Sequence, residues 1–110
     1  MATAAVPISQ ISVLLVDSQP AFRSAMRDAL EDGGVDVVGD VANAPAAVDA
    51  LGKAPVDVVL VDAECAGDGL GDVMRAAAGS AIVAMSGSVE PDVVVGALAA
   101  GMPLRHEPHA

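Results

Sequence analysis

A chain of 110 residues, 54% of them hydrophobic, is long enough for one domain with a real core and too apolar to be disordered. Its net charge of −10 and pI near 4.1 disfavour direct binding to a nucleic-acid phosphate backbone and suit a divalent cation or a basic partner. A single cysteine, Cys65, excludes an intramolecular disulfide and fits a reducing cytoplasm. The longest nearly apolar run, Val93 to Leu104, is interrupted by two glycines and a proline and falls short of the ~18 residues of a membrane span.

Residues 1–10 read as a disordered lead-in, with no basic residue ahead of an apolar stretch and so no secretory signal. Ile11 to Val16 is a continuous run of branched apolar residues, expected to be a strand buried on both faces. The next stretch, SQPAFRSAMRDALEDGG, reads as a helix. Ser18 is the expected cap, Pro20 lies in the first turn, Phe22, Met26, Ala29 and Leu30 recur at helical spacing, and Gly33 and Gly34 stop it. Val35 to Val41 alternates more, as a strand near a sheet edge would.

Asn43 is expected to cap a short helix with Ala47, Val48 and Leu51 inward and Gly52 at its end. Val56 to Val61 reads as a third strand and Ala81 to Met85 as a fourth. Between them Leu70 to Ala78 reads as a helix with Leu70, Val73, Met74 and Ala77 inward. Glu90 to Ala100 reads as a helix with Pro91 in its first turn and Gly101 at its end. Strands alternating with short helices imply β-α-β units and a parallel sheet covered on both faces.

Three polar residues follow apolar strands at equivalent places: Asp17, Asp62 and Ser86. A carboxylate inside such a strand would be costly, whereas at its carboxyl end it reaches the rim where open α/β sheets bind ligands. If the first and third strands are neighbours, Asp17 and Asp62 lie side by side. Two close carboxylates repel, and a hard divalent cation such as Mg²⁺ relieves the repulsion. An aspartate can also attack phosphorus as a nucleophile. Each residue has a plainer reading, Asp17 as a helix cap and Ser86 as part of a turn, so their joint placement carries the argument.

The stretches ISVLLVDSQPAFRSAMRDALE, VDVVGDVANAPAAVDAL, PVDVVLVDAECAGDGL and PDVVVGALAAGM resemble the receiver domain of bacterial two-component response regulators, especially the LuxR-type transcription factors. The resemblance runs in order from about Ile11 to Met102. It implies a flavodoxin-like α/β three-layer sandwich with parallel strand order 2-1-3-4-5, and a receiver domain over residues 11–105 with a tail at 106–110. It also implies that Asp62 accepts a phosphoryl group from a histidine kinase. Mg²⁺ would be held by Asp17, Asp62 and the backbone carbonyl of Glu64, and Ser86 would bond the new phosphoryl oxygen.

The chain departs from that pattern. Ser18 stands where the family has a second acid, which removes one carboxylate and should weaken Mg²⁺ binding, though Ser18 could contribute in its place. Cys65-Ala66 replaces the usual Met-Pro, Gly69 comes one residue early, and the closing GMPLRHEPHA has neither the family's lysine nor its switch aromatic. Arg105 could approach the lysine's place, but an arginine fork is not a point charge. The fifth strand is expected to be short and the fifth helix missing, which would leave apolar surface open to self-association or a partner.

Two functions therefore compete: a phosphoaccepting receiver, and a pseudo-receiver that keeps the fold as an interaction module. Neither is an enzyme beyond slow loss of its own phosphoryl group. A third reading, a nucleotide-binding enzyme, rests on GDGLG (Gly67 to Gly71), whose spacing is wrong and whose neighbours Asp62, Glu64 and Asp68 repel pyrophosphate. The plainer reading of those glycines is a loop with loose turn demands. Cys65 reads as an ordinary loop residue, the RDALEDGG charges as a solvated helix face, and Met26, Met74 and Met85 as core filler. Asp36, Asp40, Asp49, Asp57 and Asp72 read as solvent-facing or capping residues.

Overall fold

The computed structural model describes residues 11–62, 64 and 67–85. Its elements are β1 (Ser12–Val16), α1 (Pro20–Asp32), β2 (Asp36–Val41), α2 (Ala44–Lys53), β3 (Val58–Asp62), a 3-10 turn (Gly67–Gly69), α3 (Leu70–Ala76) and β4 (Ala81–Met85). The strands form one parallel sheet in the order β2-β1-β3-β4. That is the order implied by the resemblance. The helix expected over Glu90–Ala100 and the short fifth strand fall outside the described residues.

Burial follows position in the sheet. β1 and β3 are flanked on both sides by strands, and they carry the two continuous apolar runs. Val13, Leu15, Val16, Val59, Leu60 and Val61 are fully buried. Alternate residues of each strand point to opposite faces, so the core splits in two. Val13, Leu15, Val58 and Leu60 pack under α1 with Met26 and Leu30. Leu14, Val16, Val59 and Val61 pack under α2 and α3 with Ala47, Leu51 and Val73. Each of these valine, leucine and methionine side chains removed from water stabilises the fold by roughly 1.5–3 kcal/mol. The sole aromatic, Phe22, is half-buried against the α1 face.

The helices begin and end for local reasons. Asn43 caps α2 as expected, its Oδ1 accepting from the Ala46 N–H at 2.9 Å. Ser18 does not cap α1. The cap position is Gln19, which makes no side-chain cap bond, and Ser18 is exposed. Just before it, the Asp17 carboxylate accepts from the Gln19 N–H at 2.8 Å. α1 ends at Gly33, whose N–H donates to the Ala29 and Leu30 carbonyls, and Gly34 follows at a φ of 92°. Gly52 does not end α2, which runs on to Lys53.

β3 starts at Val58, two residues later than its apolar run, although Val56 is buried. The amino ends of β1 and β3 are tied together by Asp57, whose Oδ2 accepts from the Ser12 N–H at 2.9 Å and the Ser12 hydroxyl at 3.1 Å. α3 stops at Ala76. Met74, expected in the core, is 51% exposed, whereas Val73 is buried and Leu70 half-buried.

The 3-10 turn is tighter than a loose loop. Gly67 has a φ of 51°, a left-handed value that favours glycine. A Cβ on Gly69 would lie 2.5 Å from the Ala44 Cβ, so this glycine lets α2 approach the turn.

β2 also departs from regular geometry. Val13 pairs with Val37, but Leu14 pairs with Gly39, so Val38 is an extra residue. It is 51% exposed. The bulge reverses the alternation that follows: Asp40 pairs with Leu15 and Val41 with Val16. Cross-strand partners point to the same face. Asp40 is thereby carried to the α1 face, while Val41 packs on the opposite one.

Candidate functional site

The acids singled out in the sequence lie at the carboxyl rim of the sheet. Val16 pairs with Val61, the last pair in the β1–β3 ladder. Asp17 follows the first and Asp62 the second, so the register sets these two residues side by side at the neighbouring strand ends. Asp62 is also the last residue of β3 paired to β4, opposite Met85. Ser86, next along the chain, lies outside the described residues.

Asp17 is held from three directions. Its N–H donates to the Val41 carbonyl at 3.0 Å, its Oδ1 accepts from the Gln19 N–H, and its carbonyl accepts from Arg23 Nη1 at 2.7 Å. It is 4% exposed and is the sole buried polar residue among the described residues. Such a side chain is costly to bury unless bonded, and the Gln19 N–H offsets part of that cost. Asp62 is half-buried, and its Oδ1 accepts from the Glu64 N–H at 3.1 Å. Glu64 and Ser18 are exposed.

The donor set, oxygens only, is of the kind that fits a hard divalent cation. Both carboxylates use Oδ1 for a local backbone bond, and neither Oδ2 bonds another described residue. Oxygen donors of this kind suit Mg²⁺, which retains several waters. Among the described residues no three His, Cys, Asp or Glu side chains converge, in keeping with Ser18 in place of a further acid. The chain's single lysine, Lys53, closes α2 in an exposed pair with Asp49 and is no candidate for this rim.

Sequence reasoning missed one part of this region. Arg23 and Arg27, one turn apart on α1, both donate to Asp40, with Arg23 Nε 3.0 Å from Asp40 Oδ1. Arg27 also bonds Glu31 and the Val37 carbonyl. Asp40 is therefore no solvent-facing acid, and the charges of α1 are not a freely solvated face. Burial pushes the Asp40 carboxyl up, but the bonds from Arg27 and Arg23, with their charges, hold it below the usual aspartate value. The signal available in the sequence was the spacing of Arg23 and Arg27 along the border of the apolar stripe.

Comparison with known proteins gives a consistent picture. Residues 13–103 match the model of the response regulator receiver domain. Over 51 residues the chain is 45% identical to the protein-glutamate methylesterase/protein-glutamine glutaminase of Halobacterium salinarum. That stretch is 46% of this chain and 15% of that protein, so the chain spans a small part of the curated relatives it matches. Among solved structures, the signal receiver domain of NarL from Mycobacterium tuberculosis superposes with a TM-score of 0.61 at 28% identity, over 80% of this chain and 75% of that one. The isolated REC domain of RcsB from Salmonella enterica serovar Typhimurium, solved with the phosphomimetic BeF3−, gives 0.61 at 22% identity, over 80% and 70%. At that identity the second likeness speaks to the fold.

Proposed function

The chain belongs to the response regulator receiver domain family, and on that premise we propose that it acts in two-component signalling by accepting a phosphoryl group on Asp62 from a histidine kinase. One observation supports this above the rest: the β1–β3 register brings Asp17, the residue just past β1, beside Asp62, the last residue of β3, at the same rim. A carboxylate Oδ of Asp62 attacks phosphorus in line, forming a P–O bond as the P–N bond of the donor phosphohistidine breaks. Asp17, Asp62 and the Glu64 carbonyl are the residues that would hold Mg²⁺, with Ser18 at the margin. When bound, the cation offsets charge on the phosphoryl oxygens.

The chain's own residues prepare the site. The Gln19 and Glu64 N–H groups orient the two carboxylates, and the sheet beneath excludes water from one side. Ser86, placed by the chain just past β4, is assigned the bond to the new phosphoryl oxygen. The domain assignment follows: residues 11–105 as the receiver, 1–10 and 106–110 as flanking segments. Localisation to the cytoplasm belongs to the same reading; among the described residues, no helix is long and apolar enough to cross a membrane.

A second reading has a specific observation in its favour. Ser18 is exposed beside Asp17 where a further acid would complete the metal site, and no three metal-ligating acids converge among the described residues. A pseudo-receiver that binds partners without phosphorylation would tolerate both. Incubation with acetyl phosphate and Mg²⁺, followed by intact mass, separates the two. The acceptor reading predicts a base-labile phosphoryl adduct that is lost in Asp62→Asn. The absence of any adduct, together with no effect of Mg²⁺ on the melting temperature, would establish the pseudo-receiver instead.

A further inference from the structure

We infer that Arg23 is a positioning residue for the rim site, a brace that ties the Asp17 turn to β2 through Asp40. The inference rests on the reading of Asp17 and Asp62 as a cation and phosphoryl site. Arg23 is the only described side chain that donates to the Asp17 backbone, through Nη1 at 2.7 Å, and the same guanidinium is held at Nε by Asp40 at 3.0 Å. Its side chain is 19% exposed, so both bonds are partly shielded from water.

A guanidinium can hold both acceptors at once because its donors sit in a rigid fork; a lysine ammonium has no such fixed geometry. Asp40 is available only because of the extra residue Val38. In an unbulged β2 continuing from the Val13–Val37 pair, Asp40 would oppose Val16 and face α2. The bulge instead sets it opposite Leu15, under α1, where Arg23 and Arg27 meet it.

The two arginines then divide the work. Arg27 bonds Asp40 and the Val37 carbonyl, contacts that secure α1 to β2 without touching the site, and pairs with Glu31 along α1 itself. Arg23 alone reaches from Asp40 to Asp17. The Asp17 carbonyl is fixed, the turn that follows is fixed with it, and the carboxylate keeps its bond to the Gln19 N–H. A charged residue braced in this way presents its free oxygen in one place, which is how outer-shell contacts raise metal affinity.

The test compares wild type with Arg23→Met and Arg27→Met, which remove one arginine each from the same acidic anchor. Two readouts are taken: amide hydrogen exchange at Gln19 in metal-free protein, and the Mg²⁺ concentration that half-saturates labelling by acetyl phosphate. Arg23→Met is expected to speed exchange at Gln19 and to raise the half-saturating Mg²⁺ about 10-fold, with the labelling plateau reached at high Mg²⁺ retained. Arg27→Met is expected to lower the melting temperature while leaving both readouts near wild type.

Unchanged readouts in Arg23→Met, or equal shifts in both variants, would overturn the inference. If Arg23→Met does not fold, Asp40→Asn decides by the same readouts: it keeps Arg23 but removes the charge that anchors it, and wild-type values would again overturn the brace. A wild-type protein that takes no label at all contradicts the acceptor role of Asp62. In that case the Gln19 exchange still judges the brace separately.

Discussion

Asp40 and Asp17 show how differently two aspartates at the ends of neighbouring strands are used. Asp40 is depressed below the usual aspartate range because bonds from Arg27 and Arg23 outweigh the opposing effect of burial. A carboxyl with a lowered folded-state pKa adds stability that is complete above the unfolded value of about 3.9. That stability is lost as pH falls through the lower folded value. Asp40→Asn should therefore cost on the order of 1–3 kcal/mol near neutral pH, and urea denaturation should show the gap to wild type closing in acid. At the rim, Ser18→Asp adds a carboxylate beside Asp17 and should lower the Mg²⁺ needed for labelling, read from the same acetyl phosphate titration. Asp17 and Asp62 were legible in the sequence because a charge abruptly ends an apolar run. Arg23, Asp40 and the Ser12–Asp57 clamp were not, since each depends on a partner far along the chain.

Element by element, the readable features were those with a local cause. The apolar runs of β1 and β3, the Asn43 cap, the Gly33 stop and the bounds of β4 all follow from neighbouring residues. The misread ones depend on geometry between elements. The cap position falls on Gln19 rather than Ser18, Met74 faces out beside the buried Val73, and Val38 inserts a bulge that period-two patterning does not reveal. Gly69 belongs with these, because its demand comes from Ala44 on another element. Gly69→Ala should force α2 away from the 3-10 turn and destabilise the fold by about 1–3 kcal/mol, measurable as a lower urea midpoint with an unchanged slope.

At the scale of the molecule, the sheet is a partition between two cores, and both must close for the rim to form. Leu60 is fully buried in the α1-side core, two residues before Asp62. Leu60→Ala should cost about 2–5 kcal/mol, seen as a lower melting temperature. The alternation of strands and helices makes this architecture readable, and the order β2-β1-β3-β4 brings Asp17 and Asp62 to one edge. The account depends on that convergence serving one cation. It is tested most directly by a Mg²⁺ titration followed through backbone amide shifts in the nitrogen-15-labelled protein. The account predicts that Asp17, Ser18 and Gln19 move together with Asp62 and Glu64 and saturate with a single constant. Shifts scattered over the acidic surface, or confined to one of the two strand ends, would contradict it.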